Sequence, residues 1–270
     1  MVCFFTSIQY INFHLKTTNY TIVFIGAGNV AKQLGLALKK VNHTIVQVYS
    51  KHRSSSKKLA KLLKCDHTIS PEKINRTADI YIIAVNDDAI VEVAKQLNVS
   101  DKIVIHTSGS VAMDVLKSTS KNSGVFYPLQ TFSKNKKIDF KNVPICLEAN
   151  NTKTYKTLEQ VAKSISNNVQ KINSEQRINI HIAAVFACNF TNHFYSIAND
   201  ILQTNKLSLD IIKPLIAETA EKIKNNPPTK MQTGPAIRGD KKTMDKHLKM
   251  LTNKNYKQLY QLISKSIIGK

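Results

Sequence analysis

The chain has 270 residues, 42% of them hydrophobic, enough to bury a substantial core as one large or two small domains. Eight glycines and seven prolines exclude a fibrous or low-complexity chain, and no apolar run approaches the ~18–20 residues of a membrane-spanning helix. The formal charge is +21, yet only four of the 39 basic residues are arginine (Arg53, Arg76, Arg177 and Arg238). Base and phosphate recognition favours arginine forks, so the dispersed lysines predict attraction of small anionic ligands and no nucleic-acid partner.

Residues 1–20 lack the cationic start and small-residue cleavage site of a signal peptide and read as an amino-terminal extension. A cytoplasmic protein with no membrane association is expected. Cys3, Cys65, Cys146 and Cys188 form no CxxC pair and have no histidine at ligand spacing. They predict reduced, mostly buried thiols, with neither a disulfide framework nor a metal site.

Thr21–Ile25 is apolar throughout and ends at Gly26, as a strand buried on both faces does. A helix over 29–41 and a strand over 44–49 follow, and Ser54 suits the cap of a helix running to Leu63. Strands are predicted at 78–85, 102–106, 125–127, 143–147 and 169–172, with helices at about 88–97 and 152–165. This alternation implies a doubly wound, mainly parallel, Rossmann-like α/β domain over 21–172. From Ser174 the pattern is helical: one very long helix to about Leu202, then helices near 209–224, 243–252 and 255–267. Residues 173–270 are therefore expected to form an all-helical substrate or dimerisation domain.

Gly26-Ala27-Gly28-Asn29-Val30-Ala31 fits the G-x-G-x-x-G/A dinucleotide fingerprint, in the strand–turn–helix setting that the fingerprint requires. Gly26 permits the tight turn, Gly28 a close approach of the backbone to a pyrophosphate, and Ala31 tight helix–strand packing, with the helix N-terminus facing the phosphates. The competing reading is a plain glycine turn. Past the second strand stands Ser50-Lys51-His52-Arg53-Ser54, where an NAD site places a carboxylate. Ser50 and Arg53 suit a 2′-phosphate, so NADP(H) is the expected cofactor.

The ordered series Gly26–Ala31, Ala84-Val-Asn-Asp-Asp-Ala-Ile90, His106-Thr-Ser-Gly-Ser110, Tyr127-Pro-Leu-Gln-Thr-Phe132, His181–Asn189 and Thr233-Gly-Pro-Ala-Ile-Arg-Gly-Asp240 resembles a bacterial two-domain family. That family joins a Rossmann-like domain to a helical domain of unknown function, and the resemblance covers about residues 21–265. It implies a fold like those of pyrroline-carboxylate reductases, β-hydroxyacid dehydrogenases and deazaflavin-dependent NADP reductases, whose helical domain commonly makes a homodimer and closes the substrate cleft. β-Hydroxyacid dehydrogenases carry a catalytic lysine one turn before an asparagine on the long helix. Here Val185 stands there before Asn189, so their acid–base mechanism does not transfer.

Ligands of doubly wound sheets bind beyond the carboxyl ends of the strands. That rule adds Asn86, Asp87 and Ser108 to the candidate cofactor contacts and His106 to the candidate catalytic groups, although Thr107 and Ser108 equally suit a helix cap. On the long helix His181, Asn189 and His193 recur at multiples of four among apolar residues. They read as a cleft-facing file in which His181 and Asn189 act in catalysis and His193 touches substrate, against the alternative of satisfied core histidines. Thr233 and Arg238 are candidate substrate contacts, Arg238 clamping a carboxylate or else pairing with Asp240. Together these readings predict an NADP(H)-dependent oxidoreductase acting on a small carbonyl or imine substrate, with a non-catalytic NADP(H)-binding sensor or assembly protein as the alternative.

Overall fold

A computed structural model describes residues 18–133 and 136–269. The expected extension lies outside these residues up to position 17, as does Cys3. The chain divides between Ala183 and Ala184 into two units, so the first reaches past the expected boundary at 172.

The first unit is a Rossmann-like sheet built from β1 (Thr21–Ile25), β2 (Thr44–Tyr49), β3 (Asp66–Thr68), β4 (Ile80–Ile83), β5 (Ile103–His106), β6 (Asn122–Pro128), β7 (Ile145–Ala149) and β8 (Val169–Lys171). The strand order is β3-β2-β1-β4-β5-β6-β7-β8, and every neighbouring pair is parallel except β6 with β7. β1 lies beside β4 rather than β3, which places the reversal of winding between them. The helices are α1 (Asn29–Lys40), α2 (Arg53–Leu63), α3 (Ile90–Gln96), α4 (Thr152–Ile165) and α5 (Ser174–Ala184).

Side chains of a strand alternate between faces, and the core follows that period. Ile22, Phe24, Ile80 and Ile82 join α1, α2 and α4 through Leu34, Leu38, Leu59, Leu63 and Leu158. Val23, Ile25, Tyr81 and Ile83 join α3 through Ile90, Val93 and Ala94 on the opposite face. Both faces are therefore covered, which explains why these strands read as uninterrupted apolar runs.

Some elements differ from expectation. β3 is a three-residue polar strand at the sheet edge that the pattern did not announce. α2 starts at Arg53, with His52 rather than Ser54 at its N-cap and no side-chain cap. The long helix is not continuous α-helix: Val185–Phe190 is a π-helical segment between α5 and α6 (Thr191–Thr204). A 3-10 turn, Leu209–Ile212, precedes α7 (Lys213–Lys222).

The second unit continues with α8 (Lys241–Met250) and α9 (Lys254–Ile268). Within it Tyr256 Oη donates to Asp200 at 2.6 Å, and His247 Nδ1 shares a hydrogen with Tyr260 Oη at 2.9 Å. A cavity of about 570 Å³ lies among Phe194, Ile201, Pro235, Met250, Leu259 and Ile263. Among the described residues of this unit, Ala236 alone is buried, while Phe186, Ile211, Leu215 and Met250 are at least 64% exposed.

Candidate active site

Gly26 terminates β1 with φ +114°, a region that side-chain-bearing residues avoid. A Cβ there would lie 2.3 Å from the Ala84 carbonyl oxygen at the end of β4. The turn is thus wedged between β1 and β4, and the Gly26 N–H donates to Tyr49 O at 2.8 Å. Gly28 differs. It is the N-cap of α1 with an ordinary φ of −80°, and a Cβ on it would meet nothing within 4 Å. No side chain caps α1 and no acidic residue stands in its first turn, so the N–H groups of that turn have no side-chain cap among the described residues. Ala31 is fully buried and Val30 half-buried. The Asn29 side chain donates to Phe132 O at 3.0 Å, so it holds the segment after β6 against α1.

At the end of β2, Ser50 is half-buried and its N–H donates to Thr68 O at 3.2 Å. Lys51 pairs with Glu92 on α3 at 3.0 Å, both side chains being exposed. Arg53, also exposed, opens α2, whose first turn holds no acidic residue. These residues fit the 2′-phosphate of NADP, as the turn at Gly28 fits a pyrophosphate.

The ends of β4, β5 and β6 converge on a second group. Asn86 leads into a 3-10 turn, and Asp87 accepts a hydrogen bond from Ser110 Oγ. Ser108 is buried; its Oγ accepts from the N–H groups of Ser110 (3.1 Å) and Val111 (3.0 Å), so it caps this loop. His106 is fully buried, and its Nδ1 accepts from the Ser108 N–H at 3.2 Å. Burial pushes its pKa down to about 4, and the Arg177 charge adds to this against the Ala112 backbone and Asp87. His106 is therefore a neutral imidazole near pH 7.

α5 returns over this loop with a polar face. Arg177, fully buried, pairs through Nη1 with Glu148 on β7 and donates through Nη2 to Val111 O and Ser174 Oγ. Ser174 Oγ is also 2.9 Å from Glu148 and accepts from the Met113 N–H at 3.1 Å. One turn beyond Arg177, half-buried His181 has its Nδ1 3.2 Å from Tyr127 Oη on β6. The rings meet edge to face with centroids 6.2 Å apart. A Cβ on Gly109 would come within 2.7 Å of His181 Nδ1 and 2.8 Å of Tyr127 Cζ, so both rings rest directly on that glycine. Burial raises the Tyr127 pKa, with Cys146 and Asp87 contributing and Arg177 opposing, so its hydroxyl keeps its proton.

The first unit thus brings together the glycine turn, Ser50, Arg53, Asn86, Asp87, His106, Ser108 and His181 along the carboxyl edge of one sheet. Tyr127 belongs with them and was absent from the candidates. It stood in the Tyr127–Phe132 motif at a strand end, and that position was its signal. Asn189, His193, Thr233 and Arg238 lie in the second unit. Asn189 is exposed in the π-helical segment, so the four-residue spacing that aligned it with His181 and His193 does not describe an uninterrupted α-helix. His193 is exposed, Thr233 borders the cavity of this unit, and Arg238 is exposed. Asp240 caps α8 through Thr243 and forms no ion pair with Arg238 among the described residues.

Among the described residues no group of three or more His, Cys, Asp or Glu side chains could hold a metal ion, and no helix is long and apolar enough to cross a membrane. Cys146 is buried, Cys65 half-buried and Cys188 exposed, all as free thiols.

Comparison with known proteins adds two family matches: a Rossmann-like domain over residues 9–130 and a domain of unknown function, DUF2520, over residues 143–267. No protein of curated function matches the chain. A Bacteroides fragilis protein, whose name proposes an NADP oxidoreductase, is 40% identical in sequence, covering 93% of this chain and 99% of its own at a TM-score of 0.88. A Thermotoga maritima protein is 22% identical over 91% of this chain and 96% of its own (TM-score 0.69). The 1-pyrroline-5-carboxylate reductase of Streptococcus pyogenes, 14% identical, shares the fold over 93% of this chain and 99% of its own (TM-score 0.63). The chain belongs to the two-domain family in which a Rossmann-like domain precedes the DUF2520 domain.

Proposed function

We propose that this protein is an NADP(H)-dependent oxidoreductase acting on a small carbonyl or imine substrate. The observation that carries the reading is the contrast between its two turn glycines. Gly26 is demanded by the protein's own packing, whereas nothing among the described residues requires glycine at 28. A glycine without an internal reason, at an uncapped helix N-terminus, is what the close approach of a pyrophosphate requires. The B. fragilis relative, with its NADP oxidoreductase name, supports the same conclusion.

Bound NADPH supplies a hydride. The residues of this chain do the rest: the α1 N-terminus holds the pyrophosphate, Arg53 and Ser50 the 2′-phosphate, and Asn86, Asp87 and Ser108 line the path toward the ends of β4 and β5. His181 is the group that holds a proton for the product oxygen or nitrogen. His106, buried and neutral, supports the loop beneath.

Titration with NADPH and NADH, followed by nicotinamide fluorescence, tests the reading. NADPH is expected to bind more tightly than NADH, and Arg53→Ala to weaken NADPH by about tenfold, ~1.4 kcal/mol, without affecting NADH. Absence of binding by either nucleotide overturns the proposal. Val185, standing where β-hydroxyacid dehydrogenases carry lysine, favours a second reading as a non-catalytic NADP(H) sensor. Tight binding without oxidation of NADPH by a panel of small keto acids and cyclic imines is its signature.

The second unit bears on the assembly. A unit in which one side chain is buried among the described residues cannot offset the entropy of ordering it. We propose that its apolar faces are covered by a second copy of the chain in a homodimer.

A further inference from the structure

We propose that Tyr127 is a positioning residue that fixes the ring of His181, so that His181 Nε2, and no nitrogen of His106, delivers the proton that accompanies hydride transfer. The inference rests on the oxidoreductase reading and assigns its acid.

Two histidines stand at the carboxyl ends of β5 and β6, and the structure separates their roles. His106 has no exposure to solvent, and its Nδ1 lone pair is filled by the Ser108 N–H. A proton given up there could not be replaced from water without opening the loop. His181 is half-buried and therefore able to exchange protons with solvent.

What fixes His181 is contact on two sides. Tyr127 Oη lies 3.2 Å from Nδ1, and the backbone of Gly109 lies so close beneath both rings that a methyl group would not fit. On the helix that carries His181, Arg177 is bound to Glu148 and to Val111 O one turn earlier, which anchors α5 against the loop after β5. The Arg177 charge is thereby held in place.

A histidine with one ring nitrogen occupied acts through the other. Tyr127 keeps its phenolic proton, and in the neutral pair its oxygen accepts from the Nδ1–H of His181, which leaves Nε2 as the free nitrogen. In the imidazolium, Nδ1–H donates to the phenol oxygen and the ring keeps its orientation. Hydride from NADPH adds to the substrate carbon and leaves NADP⁺. The imidazolium passes its Nε2 proton to the substrate oxygen or nitrogen as the C=O or C=N double bond becomes single, and His181 is left neutral with its remaining hydrogen on Nδ1. Solvent water then returns a proton to Nε2, and atoms and charge balance.

The test uses ¹⁵N-histidine-labelled full-length protein and long-range imidazole correlation spectra, with and without NADP⁺ as the probe, for the wild type, Tyr127→Phe and His106→Gln. Phenylalanine keeps the ring that rests on Gly109 and removes only the hydroxyl. In the wild type, the neutral His181 signal is expected as the Nδ1–H tautomer, collapsing to a mixture of tautomers in Tyr127→Phe. NADP⁺ is expected to shift the His181 signal in the wild type and in His106→Gln alike. Identical tautomers in the wild type and Tyr127→Phe overturn the inference. So does saturation with NADP⁺, verified by fluorescence, that leaves His181 unmoved. If NADP⁺ does not bind at all, the oxidoreductase reading falls and the proton assignment with it, whatever the tautomers show.

Discussion

Arg177 on α5 and Glu148 on β7 form a buried ion pair across 29 residues of chain, with no exposure of the arginine side chain and 15% of the glutamate's. Buried charges are tolerated only when paired and hydrogen-bonded. Here Ser174 and the Val111 carbonyl add hydrogen bonds to the pair, while the Arg177 Nε–H has no hydrogen-bond partner among the described residues. Arg177→Ala leaves the carboxylate without its partner and is expected to cost about 3–5 kcal/mol in urea unfolding. Arg177→Lys cannot span Glu148 and the Val111 carbonyl together and is expected to recover less than half of that loss.

The two glycines of the phosphate turn should separate stability from binding. Gly26→Ala combines a φ of +114° with a backbone clash at 2.3 Å and is expected to destabilise the fold by about 3 kcal/mol or more. Gly28→Ala meets no neighbour and keeps an ordinary φ, so its unfolding free energy should stay within about 0.5 kcal/mol of the wild type. NADPH binding, measured on the same preparation, should nevertheless weaken at least tenfold, about 1.4 kcal/mol.

His106 should leave a signature in acid. Its pKa falls from 6.5 in the unfolded chain to about 4 in the folded one, so between these values the unfolded state binds more protons. Stability from this group is complete above pH ~6.5 and is lost as pH falls toward 4, to a total of about 3 kcal/mol. Chemical denaturation from pH 7.5 to 4 is expected to show this slope, and His106→Gln to flatten it. An unchanged slope in the variant would assign the acid lability elsewhere, with buried His43 the next group to test.

A unit without a core of its own should depend on self-association. The urea midpoint of the wild type is expected to rise with protein concentration, as mass action requires of a dimer. Sedimentation velocity on Leu215→Lys, a residue 64% exposed in the single chain, should show a shift toward monomer. A concentration-independent midpoint together with a monomeric wild type would overturn the homodimer.

Much of the first unit was legible because burial on both faces writes itself into residues such as Thr21–Ile25 and Ile80–Ile83. The G-x-G-x-x-A turn was legible because its chemistry is local. β3 was not, since Asp66-His67-Thr68 is three residues long, polar, and paired only at a sheet edge. The π-helical segment was hidden because Val185–Phe190 has the same apolar texture in either helix. Tyr127 escaped because its role exists only when β6 lies beside β5 and a helix 54 residues later returns to it. His106 was visible, but its burial was not: a strand-end histidine reads alike whether it faces solvent or the protein interior. Residue spacing carries no mark of the change of pitch between His181 and His193.

The pairing of β1 with β4 has a consequence for how the molecule is made. Gly26 adopts its conformation against the Ala84 carbonyl, 58 residues further along, and among the first six strands no pair is a hairpin. Every contact that shapes the nucleotide turn must wait for a crossover to close, which is the slow route in chain assembly. On the ribosome, β1 therefore emerges long before β4, one of its two neighbours in the sheet. Its four apolar residues, Ile22–Ile25, remain open to the wrong partners for that interval, a period in which a chaperone that shields bare strands would matter most.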